Sequence, residues 1–127
     1  MFRVLIVTTE RKRLEKFAAG LAGQPDVELS WAGSGNAAIA MVKSSPPMAV
    51  FIDEELLDMT GLELVKRILP INAMISTVIL SELEPAAFHE AAEGLGIAAR
   101  MPPQPTAEEA TRLIHRLKKL AFTPHTP

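Results

Sequence analysis

The sequence contains no cysteine, and this absence excludes several kinds of chemistry. Without cysteine there is no disulfide framework, no thiolate nucleophile and no cysteine-ligated metal site, and the absence fits a reducing compartment. The histidines, His89, His115 and His125, are scattered without metal-ligand spacing, and no serine–histidine–acid arrangement accompanies them. We therefore expect a protein that is not an enzyme.

Long apolar runs and a large excess of one charge are also missing. The first ten residues, MFRVLIVTTE, carry too short an apolar run for a signal peptide, and no later run is long enough to cross a bilayer. The formal net charge of −2 gives no argument for binding nucleic acid or a membrane surface. We predict a cytoplasmic protein that binds neither.

The chain does have enough hydrophobic residues for one core. Of its 127 residues, 48% are hydrophobic and 22% are charged, as expected for a single globular domain. Residues 4–7 and 48–52 are continuous apolar runs, which predict central strands that are buried on both faces. Residues 27–32 alternate and predict an edge strand, and residues 75–80 and 97–101 predict two more strands.

Helical patterns separate these strands and follow the last one. Apolar spacing and helix breakers predict helices over residues 10–22, 36–43, 62–69, 86–94 and from about 107 to 120. Thr8 or Thr9 is predicted to cap the first helix, and Thr106 the last. Alternating strands and helices predict an α/β fold, a flavodoxin-like (βα)5 doubly wound parallel five-stranded sheet in the order 2-1-3-4-5. This domain should span residues 1–120, with residues 121–127 as a tail or linker.

Polar residues follow two of the predicted central strands. Asp53 ends the third strand, Gly61 opens the next helix eight residues later, and Ser81 follows the fourth strand. A loop with three prolines, at positions 102, 103 and 105, follows the fifth strand. Open parallel sheets bind their ligands at the carboxyl ends of the strands, so Asp53 and Ser81 are candidate site residues.

In this order and spacing, these features resemble the receiver domains of bacterial response regulators (CheY-like domains). The resemblance covers residues 2–120 and implies that Asp53 is the phosphoacceptor and Ser81 the switch hydroxyl. In this family an acidic pair after the first strand holds Mg²⁺ with the acceptor aspartate, and a lysine after the fifth strand neutralises the phosphoryl oxygens. An aromatic residue on the fifth strand moves with the switch hydroxyl. The resemblance also implies a cis bond before one proline of residues 101–105.

The chain departs from the family pattern at most of these positions. Thr8 and Thr9 occupy the acidic-pair positions, and the lysine position falls on Pro103, or on Gln104 if one residue is inserted. Arg100 occupies the aromatic switch position. The sequence therefore predicts a degenerate phosphorylation site, that is, a pseudo-receiver.

These departures decide what we expect of the metal and of the aspartate. Hydroxyl and amide groups are poor ligands for a hard cation, so no Mg²⁺ is expected. If a metal did bind, Glu10 and Asp53 would supply its carboxylates, or Glu54 through a water molecule. We interpret Asp53 as a structural residue that accepts hydrogen bonds from backbone N–H groups or pairs with a nearby cation, for which Arg11 is the candidate. The alternative is a functional receiver that a histidine kinase phosphorylates on Asp53.

The function that follows is that of a receiver-like domain in two-component, or phosphorelay, signal transduction, which acts mainly through protein–protein interaction. Expected partners are a histidine kinase or an output protein. The resemblance also implies that a homodimer or an output contact would form through the face of the fourth helix, fifth strand and fifth helix. That face would contain Phe88, Glu93, Arg100, Arg112 and Arg116.

One motif supports a function of another class. Residues 33–38 match G-x-G-x-x-A, with Asp53 about 20 residues further on, as in the dinucleotide-binding fingerprint. However, the motif follows a predicted edge strand, and 127 residues leave no room for a second mononucleotide half. A nucleotide-binding module is therefore the remote alternative.

Overall fold

A computed structural model of the protein describes residues 1–122. Its strands are β1 Phe2–Val7, β2 Val27–Ala32, β3 Ala49–Asp53, β4 Ser76–Leu80 and β5 Ala99–Met101. Its helices are α1 Glu15–Ala22, α2 Gly35–Ser44, α3 Gly61–Ile68, α4 Pro85–Ala91 and α5 Ala107–Phe122, and a short 3-10 helix, Arg11–Leu14, precedes α1. Among residues 1–122, no helix is both long and apolar enough to span a membrane.

The strands form one parallel sheet in the order β2-β1-β3-β4-β5. The predicted flavodoxin-like topology is therefore confirmed. In the register of the sheet, Ile6 of β1 lies beside Trp31 of β2 on one side and Phe51 of β3 on the other. β2 is an edge strand, as its alternating pattern predicted: it lies at one end of the sheet order, and four of its six residues are only partly buried or exposed.

β3 lies at the centre of the sheet and contributes to both hydrophobic cores. Phe51 packs with the residues of α1 and α5, where its ring meets that of Phe17 edge to face at a centroid distance of 5.1 Å. Val50 and Ile52 face the other core, which α2 and α3 cover. Full burial of one such side chain contributes roughly 2 kcal/mol, so both sheet faces hold β3 in place.

The first helical segment differs from the prediction. Residues 11–14 form a 3-10 helix, and regular α-helix begins only at Glu15. Neither threonine caps this segment: the residue before it is Glu10, and no side chain bonds its first amides. The Thr8 hydroxyl accepts from the Glu10 amide at 2.9 Å and donates to Asp53. It therefore serves the loop and the site instead of the helix.

The last helix begins as predicted. The Thr106 hydroxyl accepts from the Glu109 amide, and the Glu109 carboxylate accepts from the Thr106 amide, both at 3.1 Å. This reciprocal pair is a capping box. The predicted tail begins inside α5, which continues to Phe122, and the rest of it, residues 123–127, lies outside the described residues.

The proline loop after β5 contains only trans peptide bonds. The cis bond that the family resemblance implied is therefore wrong for this chain. Trans is the ordinary form of an X–Pro bond, favoured by about 0.5–1 kcal/mol. In this form the Pro103 carbonyl accepts a hydrogen bond from Arg13, at 3.1 Å.

Candidate functional site

Asp53 lies where the sequence placed it, at the carboxyl end of the central strand. It is only 5% exposed, and β1 and β4 flank it. The Thr8 hydroxyl, at the end of β1, donates a hydrogen bond to its Oδ2. The two residues are 45 positions apart, and the parallel register brings them together at one edge of the sheet.

Gly61 is required by the close approach of α3 to the end of β3. Its amide donates to the Glu54 carbonyl at 2.8 Å, and a Cβ at this position would overlap the carbonyl oxygen of Asp53. Only glycine lets the helix start this close to the strand. The spacing between Asp53 and Gly61 therefore has a steric cause.

Arg13 is the cationic partner of Asp53. Its Nη2 pairs with Asp53 Oδ1, and its Nη1 pairs with Glu10 Oε2 at 2.9 Å. Its Nε donates to the Pro103 carbonyl at 3.1 Å. One guanidinium group thus joins the loop after β1, the end of β3 and the loop after β5. It also carries the positive charge of the site.

The prediction that Arg11 would pair with Asp53 is wrong. The Arg11 guanidinium lies over the Trp31 ring, 4.4 Å from its centroid. In a 3-10 helix consecutive residues are about 120° apart, so side chains two positions apart point in different directions. The sequence shows a basic cluster of Arg11, Lys12, Arg13 and Lys16, but the 3-10 geometry that selects Arg13 over Arg11 was not predicted.

The other predicted site positions supply no charge to the surroundings of Asp53. Thr9 and Pro103 line the same pocket as Asp53, whereas Gln104 is exposed and is not part of the lining. No lysine stands at the end of β5, and the loop offers a backbone carbonyl to Arg13 instead. Neither Pro103 nor Gln104 therefore supplies the positive charge that a lysine would bring to this site.

The Ser81 side chain forms its hydrogen bonds with Glu54 and Leu83 and not with Asp53. This side chain is 1% exposed and donates to Glu54 Oε1 at 3.1 Å, and it accepts from the Leu83 amide at the same distance. Arg100, at the aromatic position of β5, donates from Nη1 to the Ser81 carbonyl at 3.0 Å. No local pattern in the sequence predicts that the Ser81 hydroxyl bonds to Glu54, because the two residues are 27 positions apart.

An open pocket of about 310 Å³ lies above Asp53. Its charged lining is one cation, Arg13, and five carboxylates, those of Glu10, Asp53, Glu54, Glu55 and Glu82. Among residues 1–122, no three acidic or histidine side chains are placed to hold a metal ion together. Both oxygens of Asp53 are already engaged, and a guanidinium occupies the approach, so the residues present do not fit a hard divalent cation.

Burial is the largest influence on the ionisation of Asp53. Loss of hydration raises the pKa of its carboxyl group above the ordinary 3.8, and the hydrogen bond from Thr8 and the charge of Arg13 oppose this rise. Glu10 adds a smaller repulsion in the direction of burial. The Arg13 pair therefore offsets the cost of burying the Asp53 charge only in part.

The glycine motif of residues 33–38 does not form an open phosphate site. The amides of Gly35 and Asn36, at the start of α2, donate to the Asp58 carboxylate at 2.9 and 2.8 Å. The Ser34 hydroxyl accepts from the Ala37 amide at 3.1 Å. These contacts occupy the helix N-terminus with carboxylate and hydroxyl groups of the chain itself, which counts against the nucleotide-binding alternative.

Solved structures that align with this chain include receiver domains of response regulators. A two-component response regulator from Clostridium difficile aligns with a TM-score of 0.86 and 15% identity, over 97% of this chain and 100% of that one. The non-phosphorylated HemR receiver domain from Leptospira biflexa aligns with a TM-score of 0.82 and 21% identity, over 99% and 100%. A CheY-like receiver domain protein from Methanospirillum hungatei gives 0.81 and 16%, over 98% and 99%.

No family profile matches the sequence, and no curated protein matches it. At 15–21% sequence identity, the structural similarity establishes the fold alone. The similarity extends over the whole domain, because the alignments cover almost the whole of both chains. The chain has the fold of response-regulator receiver domains of the CheY-like type.

Proposed function

We propose that the chain is a receiver-like domain of two-component signal transduction that acts in the cytoplasm through protein–protein interaction, with its phosphorylation site closed by Arg13. The observation that carries this proposal is the ion pair between Arg13 and Asp53. The receiver fold supports the signalling context. The occupied aspartate supports a domain whose contacts do not depend on phosphate.

The chemistry of phosphoryl transfer explains why this ion pair matters. An attacking carboxylate and a phosphoryl donor are both anionic, so cations must stabilise the charge on the transferring oxygens. Among residues 1–122 the only cation lining the pocket is Arg13, and its guanidinium is shared between Asp53, Glu10 and the Pro103 carbonyl. Attack by Asp53 would require breaking that pair first.

The test is the intact mass of the protein after incubation with acetyl phosphate and Mg²⁺. We expect no gain of a phosphoryl group by the wild type, and no change in its thermal stability across a Mg²⁺ titration. The Asp53→Ala variant is the matched control. A gain of one phosphoryl mass by the wild type that this variant loses would overturn the proposal.

That result would establish the alternative, a working phosphoacceptor. One observation favours this alternative: Asp53 lines an open pocket and is not sealed under side chains. The Arg13→Ala variant tests the closure itself in the same assay. Labelling of this variant but not of the wild type would support the inference that Arg13 closes the site.

The proposed contact face consists of α4, β5 and α5, where a histidine kinase, an output protein or a second copy would bind. Phe88 is only 9% exposed and packs in the core, so the polar members of the face carry the proposal: Glu93, Arg100, Arg112 and Arg116. The Arg100→Ala variant should weaken self-association or partner binding. Unchanged association and unchanged partner binding in this variant would argue against the face.

A further inference from the structure

A second pocket lies between β5 and α5, away from Asp53. It has a volume of about 370 Å³, and three arginines line it: Arg100 from β5, and Arg112 and Arg116 from α5. We call it the arginine groove. Arg112 and Arg116 are four positions apart on α5, which places them on one face of the helix, one turn from each other.

The arginine groove carries an excess of positive charge, because among residues 1–122 three arginines and one acidic residue, Glu109, line it. The Glu109 carboxylate keeps its charge but accepts from the Thr106 amide and hydroxyl in the capping box. Within residues 1–122, no hydrogen bond or ion pair engages the side chains of Arg112 and Arg116, and both residues are exposed. In a chain with a net charge of −2, this is a local concentration of unpaired cations.

The rest of the lining is apolar and limits the kind of ligand. Leu113 is 7% exposed, and Pro102 and Ala99 are partly buried beside it. In the described part of the chain no aromatic side chain lines the groove, so a base has no stacking partner there, and three arginines offer few phosphate contacts. Arginine forks bind carboxylates in pairs of parallel hydrogen bonds. The lining therefore fits carboxylates that stand next to an apolar side chain.

We propose that the arginine groove binds an acidic segment of a partner protein, in which carboxylate side chains flank an apolar residue. This inference rests on the proposed function, because it names the chemistry of the partner. The carboxylates pair with Arg112 and Arg116, and the apolar side chain covers Leu113 and Pro102. Charge complementarity selects the partner.

Arg100 connects the arginine groove to the aspartate site. It lines the groove, and its Nη1 donates to the carbonyl of Ser81, whose hydroxyl donates to Glu54 beside Asp53. A carboxylate that engages the remaining N–H groups of Arg100 would share this guanidinium with the Ser81 carbonyl. We therefore expect binding in the groove to alter the surroundings of Ser81 without any phosphoryl group.

The probe is a fluorescein-labelled peptide of sequence Glu-Glu-Leu-Glu-Glu, and fluorescence anisotropy gives its affinity for the full chain. The test variant is Arg112→Gln/Arg116→Gln. The matched control is Lys66→Gln/Arg67→Gln, which removes two exposed positive charges from α3 and gives the same net charge. We expect the test variant to lose roughly tenfold or more in affinity and the control to stay within about twofold of the wild type.

Three further measurements test whether binding depends on the charges of the arginine groove. All the exchanged side chains are exposed, so the variants should fold, and Arg112→Lys/Arg116→Lys should recover part of the binding because it restores the charges. Amide spectra of the wild type with the peptide should show shifts at Ser81 and Leu83. A peptide with glutamine in place of glutamate should not bind.

Several outcomes would overturn the inference: no binding of the acidic peptide by the wild type, equal losses in the test and control variants, or tighter binding of duplex DNA that the test variant loses. Self-association that disappears in the test variant would also overturn it, since the occupant would then be a second copy. The peptide titration uses no phosphoryl donor, and acetyl phosphate labelling does not involve the groove. The failure of one proposal can therefore be told from the failure of the other.

Discussion

Arg13 makes three contacts with its guanidinium group, and each bears on what Asp53 can do. One contact neutralises the Asp53 carboxylate, one holds Glu10, and one uses the Pro103 carbonyl in the loop where the resemblance implied a lysine. The arginine side chain is 25% exposed and that of Asp53 is 7% exposed, so the pair is partly shielded from water. At the scale of single residues, the site is a partly buried ion pair between Arg13 and Asp53.

Removing the cation should destabilise the fold. In Arg13→Ala the buried Asp53 carboxylate keeps only the Thr8 hydrogen bond, and we expect a loss of about 2 kcal/mol in the free energy of unfolding. Urea denaturation measures this loss. Lys12→Ala, an exposed neighbour in the same 3-10 helix, is the control and should change little. Equal effects of the two substitutions would mean that the ion pair does not contribute to stability.

The pH dependence of stability tests the balance at Asp53. The pKa of Asp53 is raised in the folded state, so the folded protein binds a proton on Asp53 more readily than the unfolded chain does. Protonation of Asp53 therefore adds to the free energy of unfolding. This contribution is complete below the unfolded pKa of 3.8 and is lost as the pH rises through the higher folded pKa.

The Asp53→Asn variant lacks this titration. The free energy of unfolding of the wild type minus that of the variant should therefore fall as the pH rises through that window. Urea denaturation of both proteins between about pH 3 and 6 measures the difference. A difference that rises with pH would mean that Thr8 and Arg13 outweigh burial.

At the scale of elements, side chains from one segment hold the ends of another. Asp58, in the loop between β3 and α3, accepts from the amides of Gly35 and Asn36 at the start of α2. Met59, the next residue, packs so closely on Gly35 that a Cβ there would overlap its side chain. The loop that follows Asp53 is thus attached to the second helix.

Asp58→Ala should lower the melting temperature because it leaves two amides of α2 without a protein partner. These amides lower the pKa of Asp58 below the ordinary 3.8, so its contribution is present above 3.8 and is lost as the pH falls through the folded value. Thermal unfolding at neutral and acidic pH checks both points. Glu55→Ala, an exposed acid in the same loop, is the control, and a variant as stable as this control would contradict the assignment.

At the scale of the whole molecule, one sheet separates two cores that share β3. Phe51 belongs to the core under α1 and α5, and Val50 and Ile52 belong to the core under α2 and α3. Loss of β3 would expose both faces at once. The two cores should therefore unfold together, because neither has a sheet face of its own.

We expect one cooperative unfolding transition. The single tryptophan, Trp31, reports on β2 and on its contact with Arg11, whereas far-ultraviolet circular dichroism reports on the helices. The two signals should have the same midpoint in urea. Separate midpoints would mean that the edge of the sheet at β2 unfolds independently of the rest.

The sequence by itself determined the order of strands and helices, the central place of β3 and the position of Asp53 at its carboxyl end. These follow from apolar runs and their period, which are local properties of the chain, and from the few ways in which parallel strands can be connected. The sequence also showed which charges are missing at Thr8, Thr9 and Pro103.

Only the tertiary structure decided which charged groups meet. Arg13 reaches Asp53 across 40 positions, and Glu54 meets Ser81 across 27. Arg13 and not Arg11 pairs with Asp53 because of a 3-10 helix four residues long. The proline loop, with its trans bonds, supplies the Pro103 carbonyl that accepts from the Arg13 side chain. Such pairings depend on side-chain directions set by packing between distant segments, and no periodicity within one segment encodes them.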